Sequence, residues 1–175
     1  GSALMVGDYA TVRKKYDSAG NVFEQTFFDA QGNPATNAQG YQGVSVVFNE
    51  LKKPVRTTYL NTDGKPVDIT SGYAVLVDEY DQNGNIVQES YLNKDEKPVA
   101  STAGYASVKR EYDENNNMVH ETYYDPDGKA LVIGAGYAGI SKEYNEAKKM
   151  TRQTFLGTDG SQRERSDGTA AIVYE

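Results

Sequence analysis

The sequence predicts an all-β protein, an open, elongated tandem array of 32-residue β-hairpin repeats. Three observations predict it. Tyrosines recur at Tyr9, Tyr41, Tyr73, Tyr105 and Tyr137, each 32 residues after the last, with no insertion or deletion to break the register. Self-similarity at a fixed period is the signature of a repeat architecture. Clusters of Asp, Asn and Gly return at the same places in each copy, and the segments between them alternate as strands do and show no helical period.

Taken in order, residues 1–2 read as a tag remnant and 3–8 as the end of a preceding repeat. Repeats then run over 9–40, 41–72, 73–104, 105–136 and 137–168, and 169–175 starts a sixth. The chain therefore reads as a piece of a longer protein. Each unit opens with a strand such as 11–16, 44–48 or 74–80. An Asx-rich turn follows at 17–21, 81–85 and 113–117, where Asp leads and Gly or Asn takes the fourth position, as a type I turn with a left-handed residue requires. At Lys52 and Lys148 the left-handed residue is lysine, so these two turns are expected to be looser.

A second strand comes next, 85–92 in the third copy and 117–124 in the fourth, then a second turn best seen at Asp125-Pro126-Asp127-Gly128. A short pair (Pro66-Val67, Pro98-Val99, Ala130-Leu131) leads through a polar loop to the next Gly-Tyr. The unit is thus a hairpin plus a third extended piece. A three-residue loop would place Tyr80 opposite Ile86 and Leu76 opposite Ser90. Alternation then gives one face with Ala74, Leu76, Tyr80, Ile86, Ser90 and Leu92, assigned to the core, and another with Tyr73, Val75, Glu79, Val87, Glu89 and Tyr91. A lone hairpin cannot bury such a face, so neighbouring repeats must stack into one sheet. A closed five-bladed, propeller-like ring is the alternative, although 32 residues is short for a four-stranded blade.

The element Tyr-Asp-x-x-Gly-Asn followed by an apolar residue stands at Tyr16-Asp17, Gly20-Asn21-Val22 and at Tyr80-Asp81, Gly84-Asn85-Ile86, with a variant at Tyr112-Asp113, Asn116-Asn117-Met118. It resembles the signature of YD repeats, found in bacterial Rhs-type shells and related cell-surface proteins. The chain is also similar to aromatic-rich cell-wall-binding repeats, without their tryptophans. The resemblance implies a bacterial surface or secreted protein, extracellular in location.

Composition narrows the function. The net charge of −7 argues against nucleic acid or anionic membrane as partner, since phosphate binding needs a basic stripe. No run is long and apolar enough for direct membrane insertion. Without cysteine, disulfides and thiolate metal sites cannot form. The only histidine is His120, and its counterparts Glu24, Arg56, Gln88 and Arg152 mark a variable solvated position. No nucleophile elbow, phosphate loop or dinucleotide fingerprint occurs. The chain is therefore expected to be no enzyme and to need no cofactor or metal. The Asp125–Gly128 run fails as an EF-hand because its twelfth position is Gly136 rather than a carboxylate, leaving weak calcium binding between turns as a minor reading.

The tyrosine columns carry the candidate site. The Tyr9 column is always Tyr, whereas those beginning at Tyr16 and Phe27 mix Tyr with Phe. A site that accepts Phe needs only the ring, and one that keeps Tyr can use the hydroxyl. Each invariant hydroxyl either bonds loop backbone at a repeat junction or belongs to a ligand-binding ladder of Tyr41, Tyr59, Tyr73, Tyr91, Tyr105, Tyr123 and Tyr137 that stacks on sugar or peptide. The recurrent hydroxyls at Thr26, Thr58, Ser90, Thr122 and Thr154 suit strand propensity. The function expected is a non-catalytic module that binds polysaccharide, cell wall included, or acts in adhesion. The alternative is a protein-interaction or spacer array attached to a catalytic domain outside this chain. The oligomeric state is left open.

Overall fold

Hairpins recur because one turn chemistry recurs. In the first, the Asp17 carboxylate accepts the backbone N–H of Ala19 at 2.9 Å and of Asn21 at 2.8 Å, and its other oxygen accepts the Asn21 side-chain amide. Gly20, at φ +85°, closes the turn by donating to the Asp17 carbonyl. These bonds, the Asn21 side chain first, hold the Asp17 carboxyl below the usual aspartate range, and Asp81 and Asp113 are held likewise by Asn85 and Asn117. Their contribution is present above that range and is lost as pH falls through the lowered values. Lys52 and Lys148 take φ of 59°, yet their turns close at 2.9 and 2.8 Å, as tightly as the glycine turn at Gly84. They are strained rather than loose, and Glu96 shares the conformation at φ 61°.

The computed structural model describes residues 9–175, so the readings made for 1–2 and 3–8 lie outside the described residues. The strands are β1 (Thr11–Tyr16), β2 (Val22–Phe28), β3 (Gly43–Phe48), β4 (Pro54–Leu60), β5 (Val75–Tyr80), β6 (Ile86–Leu92), β7 (Ser107–Tyr112), β8 (Met118–Tyr124), β9 (Gly139–Tyr144), β10 (Met150–Leu156) and β11 (Ala171–Val173). They belong to one antiparallel sheet whose order follows the chain from β1 to β11. The order has two ends, so the array is open and the closed-ring alternative is not formed. No helix occurs among the described residues.

The polar loop after each second strand is more ordered than the sequence suggests. Phe28 bridges Pro34, Leu60 bridges Pro66, and Tyr124 bridges Ala130, giving the third extended piece. A further turn then closes from Gly40 to Asn37, from Gly72 to Ile69 and from Gly136 to Ile133. Isoleucine takes the Asx place in two of these, so the left-handed glycine alone marks the turn.

The described residues divide into two compact units, one of 9–78 with Tyr91–Pro98 and one of Glu79–Ser90 with Val99–Glu175. In the first, β3 and β4 correct the expected register. Phe48 pairs with Pro54, the counterpart of Tyr80 opposite Ile86, but the register then shifts and Val44 pairs with Tyr59 instead of Thr58. A one-residue bulge at Val55 causes the shift. The β1–β2 hairpin bulges at the same place, passing from Tyr16↔Val22 to Lys15↔Glu24. In the second unit β7–β8 does so too, and Val108 pairs with Tyr123.

Beyond a bulge every side chain changes face. The Leu76 column therefore shares a face with the Tyr91 column, and the Ser90 and Leu92 columns move to the other side. The core assignment of Ser90 and Leu92 is thus overturned. Tyr91, expected on the opposite face, is buried at 8% exposure, and Val75, which pairs with Thr58 on the side of the Ser90 column, is buried at 0%. The core follows the ring column (Phe27, Tyr91, Tyr123, Phe155) with Val108 and Ile140, and small Ala74, Ala106 and Ala138 beside it.

Candidate functional site: the aromatic ladder

The bulge places Phe27 and Tyr59 in the first unit, and Tyr123 in the second, against the invariant tyrosine of their own repeat and that of the next. In the first unit Tyr9 lies 4.4 Å from Phe27 between ring centroids, and Phe27 lies 5.7 Å from Tyr41. The series continues with Tyr41–Tyr59 at 4.8 Å, Tyr59–Tyr73 at 5.9 Å and Tyr73–Tyr91 at 4.7 Å. In the second unit Tyr105–Tyr123, Tyr123–Tyr137 and Tyr137–Phe155 follow at 4.8, 6.1 and 4.9 Å. Tilted rings at these distances are favourable beyond their burial. Tyr73 and Tyr91 lie closer than the roughly 7–8 Å of a diagonal pair across flat strands.

All seven ladder residues named from the sequence lie within these two series. Tyr91 and Tyr123 are buried, and Tyr41, Tyr59, Tyr73, Tyr105 and Tyr137 are half-buried. At the far end Thr169 stands where a sixth tyrosine would, and the Arg165 guanidinium lies over the Phe155 ring at 5.2 Å. The 32-residue spacing marks the place only by the break at Thr169 and does not name Arg165.

Hydroxyl chemistry falls partly on a column where the sequence asked only for a ring. Tyr112 donates to the Ile86 carbonyl at 3.1 Å, and Tyr144 donates to the Met118 carbonyl at 2.9 Å, each reaching back to the preceding repeat. Phe48 at the corresponding place forgoes that bond. Tyr16, first of the column, is 60% exposed. Within the ladder, Tyr59 bonds Tyr73, and burial, followed by Tyr73, pushes its phenol far above the ordinary value. Burial and the bond to Glu121 do the same at Tyr123, whose hydroxyl donates to Glu121 Oε1.

Glu121 Oε2 in turn accepts from Arg110 Nε at 2.8 Å, with side chains only 13% and 20% exposed. This pair faces across β7–β8 in register. The pattern of alternation gave no sign of it, because the corresponding pairs are Lys14–Gln25, Val46–Thr57 and Lys142–Gln153.

A raised phenol value has a sign. The neutral Tyr59 and Tyr123 contribute stability that is full below about pH 10 and is lost as pH rises further. A phenolate absorbance titration is expected to show a late, cooperative fraction that coincides with loss of the β-sheet circular dichroism signal. Ionisation of all phenols in one non-cooperative step, with the sheet intact, would contradict this placement.

The remaining candidates are isolated. His120 is exposed and pairs with Glu111 and Ser141. Asp125 uses its carboxylate to close its own turn on Asp127 and Lys129. Among the described residues no group of three or more metal-ligating side chains occurs.

No family model matches the chain. No curated protein matches it either. Among solved structures, a Tc holotoxin pore of Photorhabdus luminescens with a substituted TccC3 is similar at 12% identity and a TM-score of 0.45, over 92% of this chain and 8% of that one. The crystal structure of TcdB2-TccC3-Cdc42 is similar at 12% identity and a TM-score of 0.46, again over 92% and 8%. The chain thus spans less than a tenth of these much longer chains, and at these values they assign it no activity.

Proposed function

We propose that this chain is a non-catalytic β-hairpin repeat scaffold of a bacterial surface or secreted protein, serving as a spacer or protein-interaction array. One observation carries the reading: the tyrosine ladder is spent on packing the sheet. A surface that stacks on sugar needs several rings with open faces, and here successive rings cover one another, with Tyr91 and Tyr123 at 8% exposure. Regular turns along a linear strand order suit a module that sets distance and presents side chains at fixed intervals. The Tyr-Asp…Gly-Asn turns, which resemble YD repeats, support a bacterial secreted setting.

Polysaccharide binding is the competing function, and one titration separates the two. Tyrosine fluorescence is followed while fragmented cell-wall polysaccharides are added; with no Trp in the chain, any change reports tyrosine. The scaffold reading expects no saturable change. Saturable quenching that disappears in a folded Tyr73→Ala/Tyr105→Ala variant would overturn it.

A further inference from the structure

We propose that a groove on the face opposite the ring ladder, in the first unit, takes a glutamate-type carboxylate from an acidic peptide segment of a partner protein. The groove measures about 370 Å³ and is lined by Arg13, Lys15, Thr26, Phe28, Thr62 and Gly64, among others. Its walls are thus two strands on one side and the second turn of the following repeat on the other. This inference rests on the protein-interaction reading and names the chemistry of the partner.

The next repeat shows which groups meet at the equivalent strand and turn. There Arg56 on β4 reaches Glu96 on the following turn, with Nη2 and Oε1 2.7 Å apart. A carboxylate side chain thus bridges turn and strand there. One period earlier Glu96 is replaced by Gly64, which has no side chain, and Arg56 is replaced by Glu24, which pairs within its own hairpin with Lys15 at 2.7 Å. The strand-to-turn bridge is therefore missing in the first repeat, and the space stays open.

A cation is nonetheless in place. The Arg13 guanidinium lies over the Phe28 ring, its Cζ 4.1 Å from the centroid. The ring holds the guanidinium beside the groove that Arg13 lines, and planar guanidinium groups bind carboxylates through paired hydrogen bonds. With Lys15 and Glu24 offsetting each other, Arg13 leaves the lining with a net positive charge in a chain that is acidic as a whole. The incoming carboxylate meets Arg13 as the Glu96 carboxylate meets Arg56. Thr26 and Thr62 offer hydroxyls beside it. The Arg56–Glu96 pair is itself surface-exposed, so a single such contact is weak, and affinity would come from contacts made at several repeats.

The test is a nuclear magnetic resonance titration of the whole chain with a blocked tripeptide, acetyl-Gly-Glu-Gly-amide. The signals followed are the backbone amides of Thr62 and Gly64 and the Arg13 side-chain N–H. The expected result is a saturable shift at these signals, absent with the Gln analogue of the peptide and weakened about tenfold or more in Arg13→Gln. Gly64→Glu should weaken it as much, because the substituted side chain supplies from within what the peptide supplies from outside. Glu96 at φ 61° shows that glutamate is tolerated in the left-handed turn position that Gly64 occupies at φ 74°. Gly64→Gln is the control and should keep binding. No saturable shift, an equal response to the Gln peptide, or a stronger response to glucuronate would overturn the proposal. The readout residues lie on the face opposite the ladder, so failure here is distinguishable from ladder binding of polysaccharide.

Discussion

Replacing Arg110 by Met is expected to destabilise the protein by about 3 kcal/mol. The Glu121 carboxylate that Arg110 holds is only 13% exposed and keeps Tyr123 as its other partner. Removing the guanidinium leaves that charge largely desolvated. The cost comes from the stranded partner rather than from the pair itself, and the repeats supply the test. In the second copy the same cross-strand pair is Val46–Thr57, with no charge at all. The double variant Arg110→Val/Glu121→Thr should therefore recover most of the loss. Urea unfolding at neutral pH measures both, with a lower midpoint for Arg110→Met and a midpoint near the parent for the double variant. A double variant as unstable as the single one would show that the ion pair itself supports the fold.

Phe155→Ala is expected to cost about 3–5 kcal/mol, the range for removing a buried aromatic ring. Phe155 is 1% exposed and joins Tyr137 on one side to the Arg165 guanidinium on the other. Losing the ring opens a cavity and unseats the cap that stands where the next tyrosine would be. Because each repeat contacts mainly its neighbours, the loss should be local. Amide exchange is expected to accelerate in β9, β10 and β11, while β1 and β2 keep the parent pattern. Phe155→Tyr should be mild, since Tyr59, Tyr91 and Tyr123 fill this column elsewhere. Uniform acceleration along the chain in Phe155→Ala would contradict a nearest-neighbour array.

Most of the architecture is legible because it is repeated. The Asx-Gly turns at Asp17, Asp81 and Asp125 delimit the strands, and the 32-residue tyrosine interval counts the units. The faces are less legible, and one residue accounts for it. A bulge at Val55 or Val119 leaves the turn sequence unchanged yet exchanges the sides of everything beyond it. Apolar alternation alone could not reveal it, since Val55 and Val119 look like ordinary strand residues. With the bulge, the tyrosine column turns inward beside Val44 and Val108, and the threonine column turns outward.

The third turn has an Asx residue at Asn37 but none at Ile69 and Ile133, where Gly72 and Gly136 are its only sign in the sequence. The Arg110–Glu121 pair and the Arg165 cap are features of single repeats, and a reading built on recurrence passes over them. The one cue for the cap was Thr169, a break in an otherwise invariant column.

The central claim, that the ladder tyrosines are structural, is tested most directly by mild nitration of the folded protein with residue-by-residue mass spectrometry. The account predicts rapid modification of Tyr16 and Tyr174, which are 60% and 42% exposed. Tyr91 and Tyr123, at 8%, should resist until the protein unfolds. Ready nitration of Tyr91 and Tyr123 in protein that keeps its β-sheet signal would contradict it, and would return the ladder to the surface as a site for a ligand.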